Sequence, residues 1–260
     1  CGVGGPEIEA IGLNSNFNFN DLQIMGLVEP IIKYRSLSKK RDKLIKLFKK
    51  NRIDIFIGID SPDFNISIHK AMKKQQACKT IQLVSPSVWA WRQNRINAIK
   101  KYIDLTVCLF KFEHNFYEEV GHKSLHLGHP FNVLEKTPYD QVILKYGLSN
   151  EKKYISILPG SRVSEIENML PIFLNFINDH SKINNDFIYL IPTSDKRLYK
   201  KIHEMAPQQQ NILIKEDAMQ DFLSISDFSL ATSGTATLES AILGCPPIIC
   251  YKTNPINYLI

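Results

Sequence analysis

Short apolar runs bounded by polar residues recur along this chain, separated by stretches long enough to hold a helix. "IDIFIGID", Ile53 to Asp60, is apolar almost throughout, as expected of a parallel strand covered on both faces. "KTIQLVSPSVWAW", "IDLTVCLF" and "KSLHLGHP" follow as further strands with their turns, with helical stretches between the first three. A polar, Pro-containing interval comes after His129 and Pro130. A second series then opens with "KYISILPGSR" and runs through "DFIYLIPTS", "NILIKED", "DFSLATSGTATLE" and "CPPIICY". Two strand-helix series in succession predict an α/β protein of two Rossmann-like halves. The first covers residues 1–135, a linker covers 136–150, and the second half covers 151–260.

A chain of 260 residues with 44% apolar residues is long enough to bury one large core or two small ones. No apolar run approaches the roughly 20 residues needed to span a bilayer, and no leader of the secretory type is visible. The chain starts with Cys1 and stops inside an apolar pattern, so both ends read as cut from something longer. Five cysteines, mostly far apart and without a Cys-x-x-Cys pair, read as reduced core residues of a cytoplasmic protein, not as a disulfide framework or a metal site.

The formal net charge of +6 points to an anionic partner, and most of that charge lies in Ile31 to Arg52. There Leu37, Leu44, Ile45, Leu47 and Phe48 recur near helical spacing, with Lys39, Lys40, Arg41, Lys43, Lys46, Lys49 and Lys50 between them. Such a basic amphipathic helix is either a surface helix packed on a sheet or, in addition, a contact for an anionic membrane surface. Nucleic acid is the poorer reading, because no stacking aromatics accompany the lysines.

In open parallel sheets, ligands gather where strands give way to loops, and the unusual polar clusters of this chain fall there. In "DSPDFN", Ser61 and Pro62 suffice to start a helix, which leaves Asp60 free to act as a general base or to brace the loop backbone. Asn65 and Asp63 read as structural or substrate-positioning. In "PSVWAWR", Arg92 is a candidate anchor for an anionic group, while at least one of Trp89 and Trp91 reads as core. His129 in "GHP" is a proton carrier or a structural histidine.

Two clusters suit a nucleoside diphosphate. In "LPGSRVSEI", Gly160 makes a strand-to-helix turn, Ser161 and Arg162 add donors where a helix begins, and Ser164 with Glu167 reads as a capping box. In "SGTATLE", Ser233, Gly234 and Thr235 offer hydroxyls and N–H groups to a phosphate. Glu239 lies one turn further in, where its carboxylate suits a vicinal diol such as a ribose. The opening "CGVGGPEIEAIG" matches a dinucleotide fingerprint only loosely and lacks the following acidic residue, which argues against NAD or FAD.

Taken in order, "GVGGPEIEAIG", "IMGLVEP", "GIDSPDFN", "VSPSVWAWR", "FEHNFY", "LGHPF", "LPGSRVSEI" and "SGTATLE" closely resemble the lipid-A-disaccharide synthases, bacterial glycosyltransferases of lipopolysaccharide assembly, over nearly the whole chain. The resemblance implies a GT-B-like fold whose two parallel sheets face each other across a cleft. It implies transfer of 2,3-diacylglucosamine from its UDP derivative to the acylated glucosamine 1-phosphate acceptor, with no metal and no cofactor. By the same resemblance Asp60 is the base. The resemblance likewise matches Arg162 to the diphosphate and Glu239 to the nucleoside; from their own motifs Gly160, Ser161, Ser233, Gly234 and Thr235 are read as further nucleotide-binding residues, and Asn65, Trp91, Arg92 and His129 as acceptor-binding ones. The enzyme is expected on the cytoplasmic face of the inner membrane, touching it through the basic helix and "IMGLVEP", with a homodimer possible for the full-length protein. Competing readings are another UDP-sugar glycosyltransferase or epimerase of similar fold, and a truncated membrane-binding fragment without activity.

Overall fold

Among the described residues, nine strands form where the apolar runs predict them, and all pair in parallel. The computed structural model describes residues 1–22, 28–75, 78–90, 92–206 and 209–252. Two compact units divide the chain, Cys1–Pro130 and Phe131–Ile260.

The first unit carries helices α1 (Pro6–Ala10) and α2 (Val28–Lys50), then β1 (Ile55–Ile59), α3 (Pro62–Lys73) and β2 (Lys79–Leu83). It continues through α4 (Ile96–Tyr102), β3 (Leu105–Cys108), α5 (Lys111–Glu119) and β4 (Ser124–His126). Its sheet has the order β1-β2-β3-β4. The apolar face of α2 supplies Leu44 and Phe48 to a core shared with Phe56, Ile68 and Met72, so the basic stretch is a packed surface helix. Lys39, Lys43, Lys46, Lys49 and Lys50 remain exposed on it. β1 departs from expectation. Its burial alternates, and Ile55, Ile57 and Ile59 are each more than half exposed, so among the described residues one face of this strand is uncovered.

The second unit holds α6 (Tyr139–Tyr146), β5 (Lys153–Leu158), α7 (Val163–Ile183), β6 (Phe187–Thr193) and α8 (Lys196–Met205). It ends with β7 (Ile212–Glu216), α9 (Met219–Ile225), β8 (Phe228–Thr232), α10 (Thr235–Ile242) and β9 (Pro247–Cys250). Helices cover both faces of its sheet. Ile155, Ile157, Tyr189 and Ile191 pack against α7 and α8, while Tyr154 and Leu190 meet Val142 and Ile143 of α6 and Phe222 of α9. This alternation explains why β5 is buried from Tyr154 to Leu158.

The interval 136–150 is not the linker its polarity predicts. It contains α6, whose Val142 and Ile143 are buried in the second unit's core. Asp221 on α9 fastens it further by accepting hydrogen bonds from Thr137 Oγ1 (2.7 Å), Lys145 Nζ (2.7 Å) and Tyr146 Oη (2.8 Å). Cys78, Cys108 and Cys245 are buried and all five cysteines are free thiols.

Candidate functional site

The second sheet has the order β7-β6-β5-β8-β9, so chain progression reverses between β5 and β8. A crevice opens at such a switch point, outside the carboxyl ends of the two strands. Leu158 of β5 pairs with Ala231 of β8, and the loops that follow them are the Pro-Gly-Ser-Arg and Ser-Gly-Thr turns. The topology therefore brings Gly160, Ser161 and Arg162 to the same crevice as Ser233, Gly234, Thr235 and the start of α10.

The first loop is organised differently from the expected capping box. Helix α7 starts at Val163 with Arg162 as its N-cap, so Ser164 lies inside the helix and does not cap it. Glu165, in the first turn, reaches back instead: its carboxylate accepts from Ser161 N at 2.9 Å and pairs with Arg162 Nη1 at 2.6 Å. Glu167 pairs with Lys201 on α8. Gly160 is required at the turn, since its φ is +122° and a Cβ there would stand 2.5 Å from that of Glu165. A carboxylate thus occupies the donors that suit a phosphate.

The second loop is open. Gly234 precedes α10 with no side chain capping the helix, and Ser233, Gly234 and Thr235 are exposed. The N–H groups of Thr235 and Ala236 are accordingly available to an anion, while that of Thr237 donates to Gly234 O at 3.2 Å. Glu239 is half-buried, and burial pushes its carboxyl above the ordinary glutamate value. No hydrogen bond or ion pair to that carboxylate is formed among the described residues, a costly state for a half-buried carboxylate.

In the first unit, Asp60 ends β1 with φ +46° and Ser61 follows with φ +38°, two successive non-glycine residues in the left-handed region. The conformation is braced from beneath. Asn65 Nδ2 donates to Asp60 O at 2.8 Å, Gln82 Nε2 donates to the same carbonyl at 2.9 Å, and Asp60 N donates to Leu83 O at 2.9 Å. The Asp60 side chain is left exposed. Asn65 is buried and its amide is spent on the carbonyls of Asp60 and Ile59, so it positions the loop. Gly58 makes room for this brace, because a Cβ there would stand 2.9 Å from His69 Nε2 and 3.0 Å from Asn65.

Of the other acceptor candidates, Arg92 has φ +52° and pairs with Asp63 at 3.6 Å, and Arg95 pairs with the same carboxylate. His129 stacks on Phe110 at 5.4 Å. Trp91 lies outside the described residues, as do residues 23–27 of the "IMGLVEP" region. Glu113 was not singled out by its sequence context. It is buried, and burial pushes its carboxyl up, although the backbone N–H groups of Phe110 (3.1 Å) and Leu109 (3.2 Å) donate to it. Glu113 thereby closes the start of α5. Its signal is a Glu three residues after the helix N-cap Phe110, a position from which a carboxylate can reach back to the N-cap N–H. Among the described residues no group of three His, Cys, Asp or Glu side chains is placed to hold a metal ion, and no helix is long and apolar enough to cross a membrane.

The family model described as lipid-A-disaccharide synthetase matches residues 1–260. A lipid-A-disaccharide synthase of Acinetobacter baylyi is 40% identical over all of this chain and 69% of its own length. One from Colwellia psychrerythraea is 36% identical over all of this chain and 67% of its own length. Among solved structures, a Staphylococcus aureus MnaA–UDP complex superposes with a TM-score of 0.61 at 12% identity, over 95% of this chain and 68% of that one. The UDP-GlcNAc 2-epimerase of Neisseria meningitidis bound to UDP-GlcNAc gives 0.54 at 13% identity, over 99% and 76%. At these identities the structural likeness shows the fold alone.

Proposed function

Because the chain belongs to the lipid-A-disaccharide synthase family, glycosyltransferases of lipid A biosynthesis, we propose that it moves 2,3-diacylglucosamine from UDP-2,3-diacylglucosamine to the 6-hydroxyl of 2,3-diacylglucosamine 1-phosphate. UDP leaves and a β-1,6-linked disaccharide forms with inversion at the donor carbon. The observation that carries the nucleotide assignment is Glu239, a half-buried carboxylate without a partner among the described residues, standing one turn behind an uncapped helix start. A ribose diol supplies two donors to such a group. The diphosphate takes the N–H groups at α10 and the guanidinium of Arg162, where fixed donors oppose the charge that grows on the leaving UDP.

Asp60 takes the proton from the acceptor hydroxyl as its oxygen attacks. The exposure of this carboxylate at a strand end and the brace beneath its backbone support that role, since a base must be held in place while remaining reachable. Arg92 serves the acceptor phosphate by exchanging Asp63 for it. The exposed lysines of α2 meet anionic lipid, so the enzyme works as a peripheral protein on the inner face of the inner membrane.

UDP release in the presence of both acylated substrates, and with each omitted in turn, tests the reaction. Release that needs both establishes the transfer, and release from the donor alone or without dependence on acyl chains overturns it in favour of another UDP-sugar enzyme.

A further inference from the structure

Four aromatic rings stand in a row at one edge of the first unit. Its strands run parallel in the order β1-β2-β3-β4, so all four release the chain at the same edge, spaced about 4.8 Å apart. The loop after β2 supplies Trp89, the segment after β3 supplies Phe110 and Phe112, and the segment after β4 supplies His129. Trp89 meets Phe112 edge to face with centroids 4.8 Å apart, Phe112 stacks on Phe110 at 5.6 Å, and Phe110 stacks on His129 at 5.4 Å.

The outer rings of this row are not core. Val88 is buried with Ile99, Cys108 and Tyr117, whereas its neighbour Trp89 is 41% exposed and Phe112 is 49% exposed. Single exposed apolar residues are ordinary, but a contiguous row of part-exposed rings at the edge where parallel sheets take their ligands is the mark of a binding surface.

The loop that carries Trp89 also has a charged end. Arg92 pairs at 3.6 Å with the exposed Asp63 in the first turn of α3, three residues beyond Asp60, and Arg95 pairs with the same carboxylate. Two guanidiniums share one carboxylate, so an incoming anion can pair with one while the other keeps Asp63. One loop thus ties its arginines to the β1 side of the edge and its tryptophan to the β3 side. A ligand that matches carries an anion at one end and aliphatic carbon at the other.

We infer that the acceptor lies along this edge, with its phosphate on Arg92 and Arg95 and one acyl chain on the row of Trp89, Phe112, Phe110 and His129. The inference rests on the acylated acceptor proposed above, and it adds the residues that hold the chain and a second arginine for the phosphate. A chain lying on ring faces hides only one of its sides, so each methylene should tighten binding about twofold, against roughly fourfold for full burial.

The first test needs no turnover. Alkyl phosphates of increasing chain length, kept below their micellar concentrations, are titrated into the full chain while the Trp89 indole N–H and the His129 ring are followed by NMR. Inorganic phosphate is the control without a chain, and octan-1-ol the control without an anion. Saturable shifts at Trp89, affinity that rises with chain length, and weaker binding of octan-1-ol than of octyl phosphate support the assignment. No shift at Trp89, affinity independent of chain length, or equal binding of octan-1-ol and octyl phosphate overturns it.

Variants then separate the row from its surroundings. Phe112→Ser should abolish the length dependence at unchanged UDP affinity, and Phe112→Leu, which keeps an apolar side chain, should restore most of it. Arg95→Ala should weaken octyl phosphate several-fold and leave octan-1-ol unchanged. An unaltered length dependence in Phe112→Ser overturns the chain site, and so does loss of vesicle binding in that variant with octyl phosphate affinity intact, which would turn the row towards a membrane. If wild type binds alkyl phosphates as expected but releases no UDP with both acylated substrates, the proposed reaction fails and the row stands as a site for an alkyl phosphate.

Discussion

Asn65 holds the carbonyl of Asp60, its amide nitrogen 2.8 Å from that oxygen, while Asp60 and Ser61 both sit at positive φ. A non-glycine residue in this region costs on the order of 1 to 2 kcal/mol, so the turn persists only because its surroundings determine it. Asn65→Ala removes one of two donors to that carbonyl and should let the loop relax. A displacement of about 1 Å at a reacting group can lower the rate on the order of 10²-fold. The expected result is a large fall in kcat with UDP affinity unchanged, since the nucleotide candidates belong to the second unit. Isothermal titration with UDP beside steady-state rates checks this, and a matching loss of UDP binding would assign Asn65 a broader structural role.

Glu239 should show opposite effects on stability and on binding. A carboxyl whose pKa is raised in the folded state holds its proton more tightly there than in the unfolded chain. Its ionisation therefore destabilises the fold as pH rises from the ordinary value of 4.5 through the raised one. Glu239→Gln removes that cost and should raise the melting temperature at neutral pH. The same change removes a charged acceptor for the ribose and should weaken UDP binding about tenfold. As pH falls through the raised pKa, the affinity advantage of wild type over the variant should shrink. Calorimetric melting and UDP titration across that range measure both signs, and an advantage that stays constant with pH would remove Glu239 from the ribose.

The strands were legible because a sheet covered by helices on both faces leaves short, unbroken apolar runs, and Tyr154 to Leu158 is such a run. β1 reads the same way, yet Ile55, Ile57 and Ile59 are exposed, because periodicity reports what a residue can bury and not what covers it. Arg162 and Glu239 were legible as polar residues at strand ends whose local roles did not account for them. The tie between Glu165 and Arg162 was hidden, since two overlapping Ser/Glu spacings compete and only the position of the helix start decides between them. Polarity likewise concealed α6. Asp221 binds its flank from a residue more than 70 positions away, and no local pattern carries that information.

That contact has a measurable weight. Burial alone would push the Asp221 carboxyl up, but hydrogen bonds from Lys145, Thr137 and Tyr146 outweigh it and hold the group below the ordinary value of 3.8. Its contribution is present above that value and is lost as pH falls through the depressed one. Asp221→Ala should cost about 2 kcal/mol, because the Thr137 and Tyr146 hydroxyls lose a charged acceptor. Urea unfolding at neutral and strongly acidic pH checks this, the difference from wild type disappearing at the acidic end.

For the membrane contact, charge reversal at Lys39, Lys43 and Lys46 should abolish binding to anionic vesicles, because all three are exposed and each such charge contributes about 1 kcal/mol near a charged surface. Lys40 is a poor choice because it already pairs with Asp21. Sedimentation with vesicles of rising phosphatidylserine content measures this, and undiminished binding would return α2 to a purely structural role.

Glu165 stands on the donors that a diphosphate needs, accepting from Ser161 N and pairing with Arg162. An ion pair this exposed contributes at most about 1 kcal/mol, so a diphosphate can displace it. If Arg162 takes the diphosphate as proposed, phosphate and carboxylate, of like charge, compete for one guanidinium, and Glu165 is expected to act as a brake on nucleotide binding. Glu165→Gln should therefore tighten UDP binding several-fold, whereas Arg162→Ala should weaken both UDP binding and turnover. The double variant carries the sharper consequence: if Glu165 acts through Arg162, the gain from Glu165→Gln vanishes once Arg162 is alanine. A double-mutant cycle on UDP affinity measures that coupling. Weaker binding in Glu165→Gln alone would reverse the assignment, making the carboxylate the group that holds Arg162 ready for the phosphate.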